Sequence, residues 1–106
     1  MKFTVAGILL DACVLGALAK APAYGYELTQ KTQTILDISE SALYPVLRRL
    51  QRDGFLTTYN ETYDGRNRCY YKITDSGIEL LKQYENEWLR FKANIDTFLK
   101  GVKKSG

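Results

Sequence analysis

The segment from Ser39 to Gly54 constrains the fold most strongly, because its helical pattern leads directly into two β-rich runs. Aliphatic residues recur there at i, i+3, i+4 and i+7 and predict one buried helix face, made of Leu43, Val46, Leu47 and Leu50. The opposite face carries hydroxyl, aromatic, proline and basic residues, namely Ser41, Tyr44, Pro45, Arg48 and Arg52, with Arg49 at its margin. Such a face suits a nucleic-acid groove. Taken alone, an ordinary amphipathic helix with a solvated basic face explains the pattern equally well.

The two runs after this helix are rich in β-branched and aromatic residues and predict a hairpin. They are Phe55–Tyr59 and Cys69–Thr74, and the Asp64-Gly65 dipeptide between them is a strong turn signal. Basic and amide side chains follow the turn, at Arg66, Asn67 and Arg68. A helix followed by such a hairpin is the layout of a winged helix-turn-helix. In that layout the helix enters the major groove and the wing reaches the neighbouring backbone or minor groove.

The position of Pro45 allows two different starts for this helix. Proline deep inside a helix removes a backbone hydrogen bond and costs about 3 kcal/mol, whereas the first turn tolerates it. A start near Ser41 therefore fits, and a kinked start at Ser39 is the alternative. Asp37 or Ser39 supplies the capping oxygen in either case.

Two further helices are predicted before it. Thr4 to about Lys20 is almost continuously apolar, which indicates burial on two sides and hence a second subunit. Pro22 ends that helix. The next helix runs from Tyr24-Gly25-Tyr26 to about Thr34, with core-facing residues at Tyr26 or Leu28 and then at Ile35.

The last helix carries a second strong pattern. Thr74 or Asp75 caps it, and apolar residues then alternate at spacings of three and four over three heptads: Leu81, Tyr84, Trp88, Phe91, Ile95, Phe98 and Val102. We favour packing against a partner helix over a long core helix, because a small domain does not need the series to run past Phe91. The predicted fold is α+β and mostly α. A winged helix-turn-helix domain spans 1–74, and a C-terminal dimerisation helix at 75–106 packs with the first helix of the partner.

Composition excludes several function classes. The chain contains no histidine, and no nucleophile–base pairing stands out, so we expect no enzyme and no catalytic residue. Two cysteines cannot build a zinc site, so no metal and no cofactor is expected. Cys13 and Cys69 are expected to be buried or half-buried thiols, which fits a reducing compartment. The first residues imitate a secretory signal, but Asp11 interrupts the apolar run. We therefore expect a cytoplasmic protein with no membrane partner.

The same residues resemble a known family. Leu43-Tyr44-Pro45, Asp53-Gly54 and a wing that closes on Tyr70-Tyr71 are similar to the PadR family of transcriptional regulators. Thr74–Gly77 and the Tyr24-Gly25-Tyr26 turn match as well, so the resemblance extends from about Ile8 to Lys100. The length, with one helix after the wing, resembles the short subfamily that includes multidrug-sensing repressors.

The positive charge is concentrated on the predicted helix and wing. From Ser39 to Lys72 there are six basic and four acidic residues, whereas Asp75 to Leu99 holds three basic and five acidic residues. Arg48 is best placed for a base edge, and Arg52 for the backbone. The predicted DNA-binding residues are Ser39, Ser41, Tyr44, Pro45, Arg48, Arg49, Arg52, Gly65, Arg66, Asn67 and Arg68.

Trp88 has two interpretations. It is either a core tryptophan at the dimer interface or an aromatic wall for a planar, apolar ligand. The resemblance implies the second, because multidrug-sensing members use a tryptophan at this place to sandwich such compounds. The predicted ligand-binding residues are Ile8, Asp11, Ala12 and Trp88, with Asp11 suited to attract a cation. The predicted interface residues are Leu81, Tyr84, Trp88, Phe91, Ile95 and Phe98.

Two functions follow from these observations. The first is a sequence-specific transcriptional regulator, a repressor that binds a palindromic operator as a homodimer and is released by a planar apolar or cationic ligand. Its partners are double-stranded DNA, a second copy of the chain and a planar aromatic small molecule. The alternative is a winged-helix protein-interaction module without DNA binding. Exposed arginines discriminate between the two, since docking surfaces usually deplete charge at their centre.

Overall fold

The computed structural model describes residues 7–100 of the chain. These residues form four helices and a small antiparallel sheet. The predictions for Thr4, Val5 and Val102 lie outside these residues. The elements are α1 (Ile8–Lys20), β1 (Ala23–Tyr24), α2 (Gly25–Leu36), α3 (Glu40–Arg52), β2 (Leu56–Tyr63), β3 (Arg66–Ile73) and α4 (Asp75–Leu99). This is a mostly helical winged helix-turn-helix with a long last helix, so the predicted fold class is confirmed.

The sheet is built on the predicted hairpin. Strands β2 and β3 pair without interruption from Leu56 opposite Ile73 to Tyr63 opposite Arg66. The turn between them has positive φ at Asp64 (53°) and Gly65 (74°), which a two-residue hairpin turn requires and which Asp-Gly readily adopts. The sequence did not predict β1, which adds a two-residue edge to β3 and gives the strand order β1-β3-β2. Two residues carry too little pattern to be recognised as a strand.

Helix α3 begins at Glu40, because the Ser39 hydroxyl accepts a hydrogen bond from the Ala42 amide. Pro45 consequently lies beyond the first turn, and the Ser41 carbonyl lacks its usual helical donor. The fully buried leucines of the opposite face, Leu43, Leu47 and Leu50, hold the helix in place despite this loss.

Asp37 takes a different role from the one considered for it. It ends α2 in a left-handed conformation (φ 60°), and its amide donates to the Gln33 carbonyl.

The core lies where α1, α2 and α3 meet β2. Its members are aliphatic: Leu10, Val14, Leu15, Leu18, Leu28, Ile38, Leu43, Val46, Leu47, Leu50 and Leu56. The buried hydroxyl groups of Thr29 and Thr32 donate to the Gly25 and Leu28 carbonyls of the preceding turn, so they add no unpaired donor to this core.

Two burial predictions are wrong. Ile35 is 71% exposed, because the buried side of α2 is made of Leu28, Thr29 and Thr32, and Ile35 lies at its edge in the last turn. Cys69 is exposed, because it lies opposite Asn60 in the outer half of the hairpin, away from the core. Cys13 is half-buried as expected, and burial raises the pKa of its thiol.

Helix α4 is joined tightly to the wing at its start. The Thr74 hydroxyl accepts from the Gly77 amide and donates to the Gly54 carbonyl at 2.7 Å. Beyond this cap, Leu80, Leu81 and Tyr84 pack against the core. The apolar residues that follow are exposed, from Trp88 (42%) to Phe98 (80%). Leu81 and Tyr84, predicted as interface residues, therefore already have partners in their own chain.

Candidate nucleic-acid interface and adjoining cavity

The outward face of α3 presents most of the predicted polar and basic residues. Ser41, Pro45, Arg48 and Arg52 are all exposed, and the last three line a shallow depression together with Arg49 and Gln51. Arg52 forms an ion pair with its neighbour Asp53, with Nε 3.1 Å from Oδ1. Both side chains are exposed, and such pairs contribute only about 0–1 kcal/mol, so Arg52 can exchange this partner for a phosphate. Ser39 differs from these residues because its hydroxyl caps the helix.

Tyr44 is held against the start of α2. A Cβ atom at Gly25 would lie 3.1 Å from the Tyr44 hydroxyl oxygen and 3.3 Å from its Cε1 atom. The glycine between Tyr24 and Tyr26 therefore makes room for the Tyr44 ring. This contact places the half-buried Tyr44 hydroxyl beside the first backbone amides of α2, where a phosphate is favoured. Both motifs are visible in the sequence, but nothing in the residues around them indicates that they touch.

Arg49 lies at the margin of this face and also has a partner on another helix. It lines the depression beside Arg48, and its guanidinium binds the Asp11 carboxylate of α1 through two parallel hydrogen bonds, Nη1 to Oδ2 at 2.8 Å and Nη2 to Oδ1 at 2.7 Å. Asp11 is buried, with 7% of its side chain exposed, whereas Arg49 keeps 41%. The hydrogen bond to Asp11 raises the pKa of the Arg49 guanidinium above its ordinary value.

This pair changes the predictions for both residues. Arg49 uses one hydrogen on each of its two Nη atoms for Asp11, so the guanidinium cannot leave this position without breaking two charge-assisted hydrogen bonds. Asp11 has no spare negative charge with which to attract a cationic ligand. The physical reason is the crossing of α1 over α3, which brings together two residues 38 positions apart. Nothing in their separate surroundings in the sequence indicated that they would meet.

The arginines of the wing also differ from each other. Arg66 and Asn67 are exposed beside the Gly65 turn. Arg68 is half-buried, with its guanidinium carbon 4.5 Å from the centre of the Tyr24 ring and 5.2 Å from that of Tyr63. Two cation–π contacts of about 0.5–1 kcal/mol each hold it on the outer face of the sheet.

A row of tyrosines continues this face across all three strands. The Tyr24 ring meets Tyr70 edge-on at 5.5 Å, and Tyr70 stacks on Tyr59 at 5.4 Å. Tyr71, the next residue in β3, packs against the core instead. Successive residues of a strand point to opposite faces of the sheet, which separates Tyr70 from Tyr71. The sequence did not predict the row, because the row depends on the pairing of β1 with β3.

An apolar cavity of about 340 Å³ lies between α1 and the exposed part of α4. It is lined by Ile8, Leu9, Ala12, Tyr84, Glu87, Trp88 and Phe91. A second cavity of about 320 Å³ shares Leu9, Ala12, Tyr84 and Trp88 with it and continues toward Cys13 and Leu36. Three of the four predicted ligand-binding residues, Ile8, Ala12 and Trp88, thus come together, while Asp11 faces Arg49. The Trp88 ring lies 6.3 Å from that of Phe91.

Tyr84 connects this cavity to the ion pair. It lines both parts of the cavity. Burial raises the pKa of its hydroxyl, the negative Asp11 carboxylate adds to that rise, and Arg49 opposes it. The cavity, the ion pair and α3 are therefore neighbours. Within residues 7–100 no cluster of metal-ligating side chains is present, and no helix is long and apolar enough to cross a lipid bilayer.

Residues 14–83 match the family described as the transcriptional regulator PadR-like family. The chain belongs to this family. The matched range contains the whole of α2, α3 and the wing and ends within α4, one residue before Tyr84. The exposed part of α4, which begins at Trp88, therefore lies outside the range that matches the family.

The chain is also similar to solved structures and to a curated relative. A crystal structure of a Streptococcus mutans protein is 36% identical, covers 98% of each chain and has a TM-score of 0.88. An uncharacterized protein of Lysinibacillus sphaericus is 33% identical over 99 residues, which are 89% of this chain and 91% of that protein. The Bacillus subtilis PadR protein in complex with operator DNA is 28% identical, with a TM-score of 0.64. That match covers 71% of this chain and 45% of the Bacillus protein.

Proposed function

We propose that this PadR-like regulator is a repressor that binds a palindromic operator as a homodimer. The observation that carries the proposal is the outward face of α3, where Arg48 and Arg52 stay exposed although the opposite face is fully buried. The relative held on operator DNA supports the same function. Two copies of α3 related by a two-fold axis would read half-sites about one turn of DNA apart.

The proposed contacts follow the exposure of each side chain. Arg48 reads a base edge in the major groove, where a bidentate arginine–guanine pair contributes about 1–3 kcal/mol of discrimination. Arg66 meets phosphate or a narrow minor groove from the wing. Positioning contacts to the backbone come from Ser41, Tyr44, Arg52 and Asn67. Arg49 and Arg68 are not included as direct contacts, because side chains of the same chain hold both guanidinium groups.

The exposed apolar residues of α4 support the proposed homodimer. Four apolar residues continue the helical stripe of Leu81 and Tyr84 but are exposed in the described part of the chain, namely Trp88, Phe91, Ile95 and Phe98. A contiguous apolar surface of this kind marks an interaction site. In the proposed dimer, the first and last helices of the partner cover it.

Replacing one arginine at a time tests DNA binding. A duplex is first selected from a random pool by the unmodified protein, and a random duplex serves as the reference. Arg48→Ala should weaken binding to the selected duplex and relax the preference at one position in each half-site. Arg66→Ala should weaken binding to both duplexes and reduce the salt slope, by about 0.9 for each phosphate that the variant no longer neutralises.

Arg90→Ala is the matched control, because Arg90 is an exposed arginine of α4, and it should leave both affinities unchanged. Equal losses on the two duplexes for Arg48→Ala and Arg66→Ala would contradict the assignment of roles. Salt-independent retention on duplex DNA by the unmodified protein would favour the protein-interaction module instead. A reporter gene placed behind the selected duplex tests repression, since its transcription should fall when the chain is expressed.

We further propose that a planar apolar or cationic ligand enters the cavity beside Trp88 and releases the DNA. The apolar lining and the half-exposed indole ring support this role. Trp88 is the single tryptophan of the chain, so binding of a planar cationic dye should quench the fluorescence of the protein. Attraction to the π face and apolar burial together should give micromolar affinity.

Trp88→Ala should abolish dye binding and leave the dimer and its DNA binding intact, because Tyr84, Phe91 and Ile95 remain. Dissociation of this variant would identify Trp88 as a packing residue. Unchanged fluorescence of the unmodified protein at millimolar dye would exclude the proposed ligand class.

A further inference from the structure

The Asp11–Arg49 pair links the helix that lines the cavity to the helix that carries the DNA-contacting face. Asp11 lies one residue before Ala12, which lines both parts of the cavity. Arg49 lies one residue after Arg48, the proposed base reader. Two parallel hydrogen bonds of 2.7 and 2.8 Å join them. Such a pair fixes both distance and orientation, which a contact between aliphatic side chains does not.

The environment of the pair makes it difficult to exchange. The Asp11 carboxylate is buried. Within residues 7–100, the side-chain hydrogen bonds to both of the carboxylate oxygens come from Arg49. A buried charge without its partner is strongly unfavourable, so α1 and α3 must keep this relative position or shift together. Tyr84 of α4 lines the cavity, and the charges of Asp11 and Arg49 shift the pKa of its hydroxyl group in opposite directions. Leu9 and Ala12 line the cavity on the same helix that carries Asp11, so a shift of α1 against α4 moves one member of the pair.

We propose that Arg49 is a positioning residue for DNA recognition, which acts through Asp11 and makes the orientation of Arg48 depend on how α1 packs against α4. The inference rests on the proposed function. It assigns to Arg49 no contact with DNA. It also gives Asp11 a role other than attracting a ligand, because its charge serves to hold α3.

Four variants separate positioning from direct contact. Asp11→Asn keeps the size of the side chain and removes its charge, and Arg49→Gln removes the other partner. Arg49→Lys keeps the charge with fewer directed hydrogen bonds, and it serves as the second variant if Arg49→Gln does not fold. Asp53→Asn is the matched control, because Asp53 pairs with another α3 arginine, Arg52, but on the exposed surface.

The first measurement is the ratio of affinities for the selected and random duplexes. Asp11→Asn and Arg49→Gln should each lower this ratio by at least about fivefold, which is the lower end of typical coupling between sites. The salt slope on random DNA should not change. The double variant should lose no more than either single variant, because both changes break one interaction. Arg49→Lys should lie between. Asp53→Asn should keep the affinity ratio of the unmodified protein, because it frees only Arg52, a proposed backbone contact that acts on both duplexes alike.

The second measurement uses Trp88 as a reporter of the α1–α4 contact. Binding of the selected duplex should change the fluorescence of Trp88 in the unmodified protein and in Asp53→Asn. The change should be absent in Asp11→Asn and Arg49→Gln at saturating DNA. A merely structural role of the pair lowers the folded fraction, but it alters neither the affinity ratio of the folded protein nor the response of Trp88 at saturation.

Each other result overturns the inference. Tighter binding of Asp11→Asn to both duplexes with a steeper salt slope would show that a freed Arg49 contacts phosphate. An unchanged affinity ratio, or a Trp88 signal that persists in the variants, would show that the pair only stabilises the fold. Failure of the unmodified protein to bind any duplex would overturn the proposed function and this inference together, whereas binding with an unchanged ratio overturns the inference alone.

Discussion

The two halves of α4 have the same spacing of apolar residues and opposite surroundings. Leu81 and Tyr84 pack against the core of their own chain, whereas Phe91 and Phe98 are exposed. The stripe does not change in spacing or in residue type between them. What changes within residues 7–100 is the position relative to α1, which lines a cavity with α4 as far as Phe91, while Ile95 and Phe98 lie beyond that cavity. A heptad series therefore defines which face of a helix is apolar and leaves open what will cover that face.

A charge in the outer half provides the strongest test of this difference. Phe91→Glu should abolish the proposed dimer, because it buries a carboxylate in an apolar seam. Sedimentation at micromolar concentration should then show a monomer, while the unmodified protein sediments as a dimer. Ala93→Glu is the control on the side of the helix away from the stripe, and it should remain dimeric. A monomeric unmodified protein would refute the proposed cover for this half of α4.

A truncation in the core should act on the fold instead of on assembly. Leu47 is fully buried in α3, so Leu47→Ala should lower the free energy of unfolding by about 2–5 kcal/mol. Urea unfolding measures the change. Leu89→Ala is the matched control, because Leu89 is 58% exposed and lies off the stripe, and its effect should stay within about 0.5 kcal/mol. A large loss for Leu89→Ala would mean that the cover of α4 extends beyond the stripe.

Alanine substitutions at two glycines, Gly77 and Gly16, test the packing around the first half of α4. A Cβ atom at Gly77 would overlap the Phe55 carbonyl and the Ile73 side chain, so Gly77→Ala should destabilise the fold by about 1–3 kcal/mol. A Cβ atom at Gly16 in α1 would lie 3.9 Å from Leu81, an ordinary contact. Gly16→Ala should therefore raise the free energy of unfolding by about 0.5–1 kcal/mol, since alanine favours the helix. Thermal unfolding of both variants measures the opposite signs, and equal signs would contradict the packing described at one of the two sites.

Local patterns predicted the elements correctly where the cause lies within a few residues. The buried face of α3 followed from the spacing of Leu43, Leu47 and Leu50. The wing followed from Asp64-Gly65 between two β-rich runs. For the helix caps, the sequence left two candidates each, and the hydrogen bonds of the structure assign them to Ser39 and Thr74. The helix face and the wing depend on hydrogen bonds or side-chain spacing within one or two turns of chain, so neighbours in the sequence were sufficient to recognise them.

The site was less predictable than the fold. The exposed positions of Arg48, Arg52 and Arg66 follow from the phase of the helix and the tip of the hairpin. The positions of Arg49 and Arg68 do not, because their partners Asp11, Tyr24 and Tyr63 come from other elements. All five residues are arginines of the same basic stretch, so residue type does not distinguish them. Only their intramolecular contacts separate those free to meet DNA from those already held.

Local sequence patterns are enough to specify the winged helix-turn-helix, the apolar stripe of α4 and the face of α3 that stays polar. Tertiary packing is needed to bring Asp11 to Arg49, to complete the sheet with β1 and to cover the stripe of α4 as far as Tyr84. The physical reason is the range of the interactions. Periodicity and turn chemistry act over a few residues, whereas an ion pair across 38 residues exists only where the packing of whole helices brings two side chains within hydrogen-bonding distance.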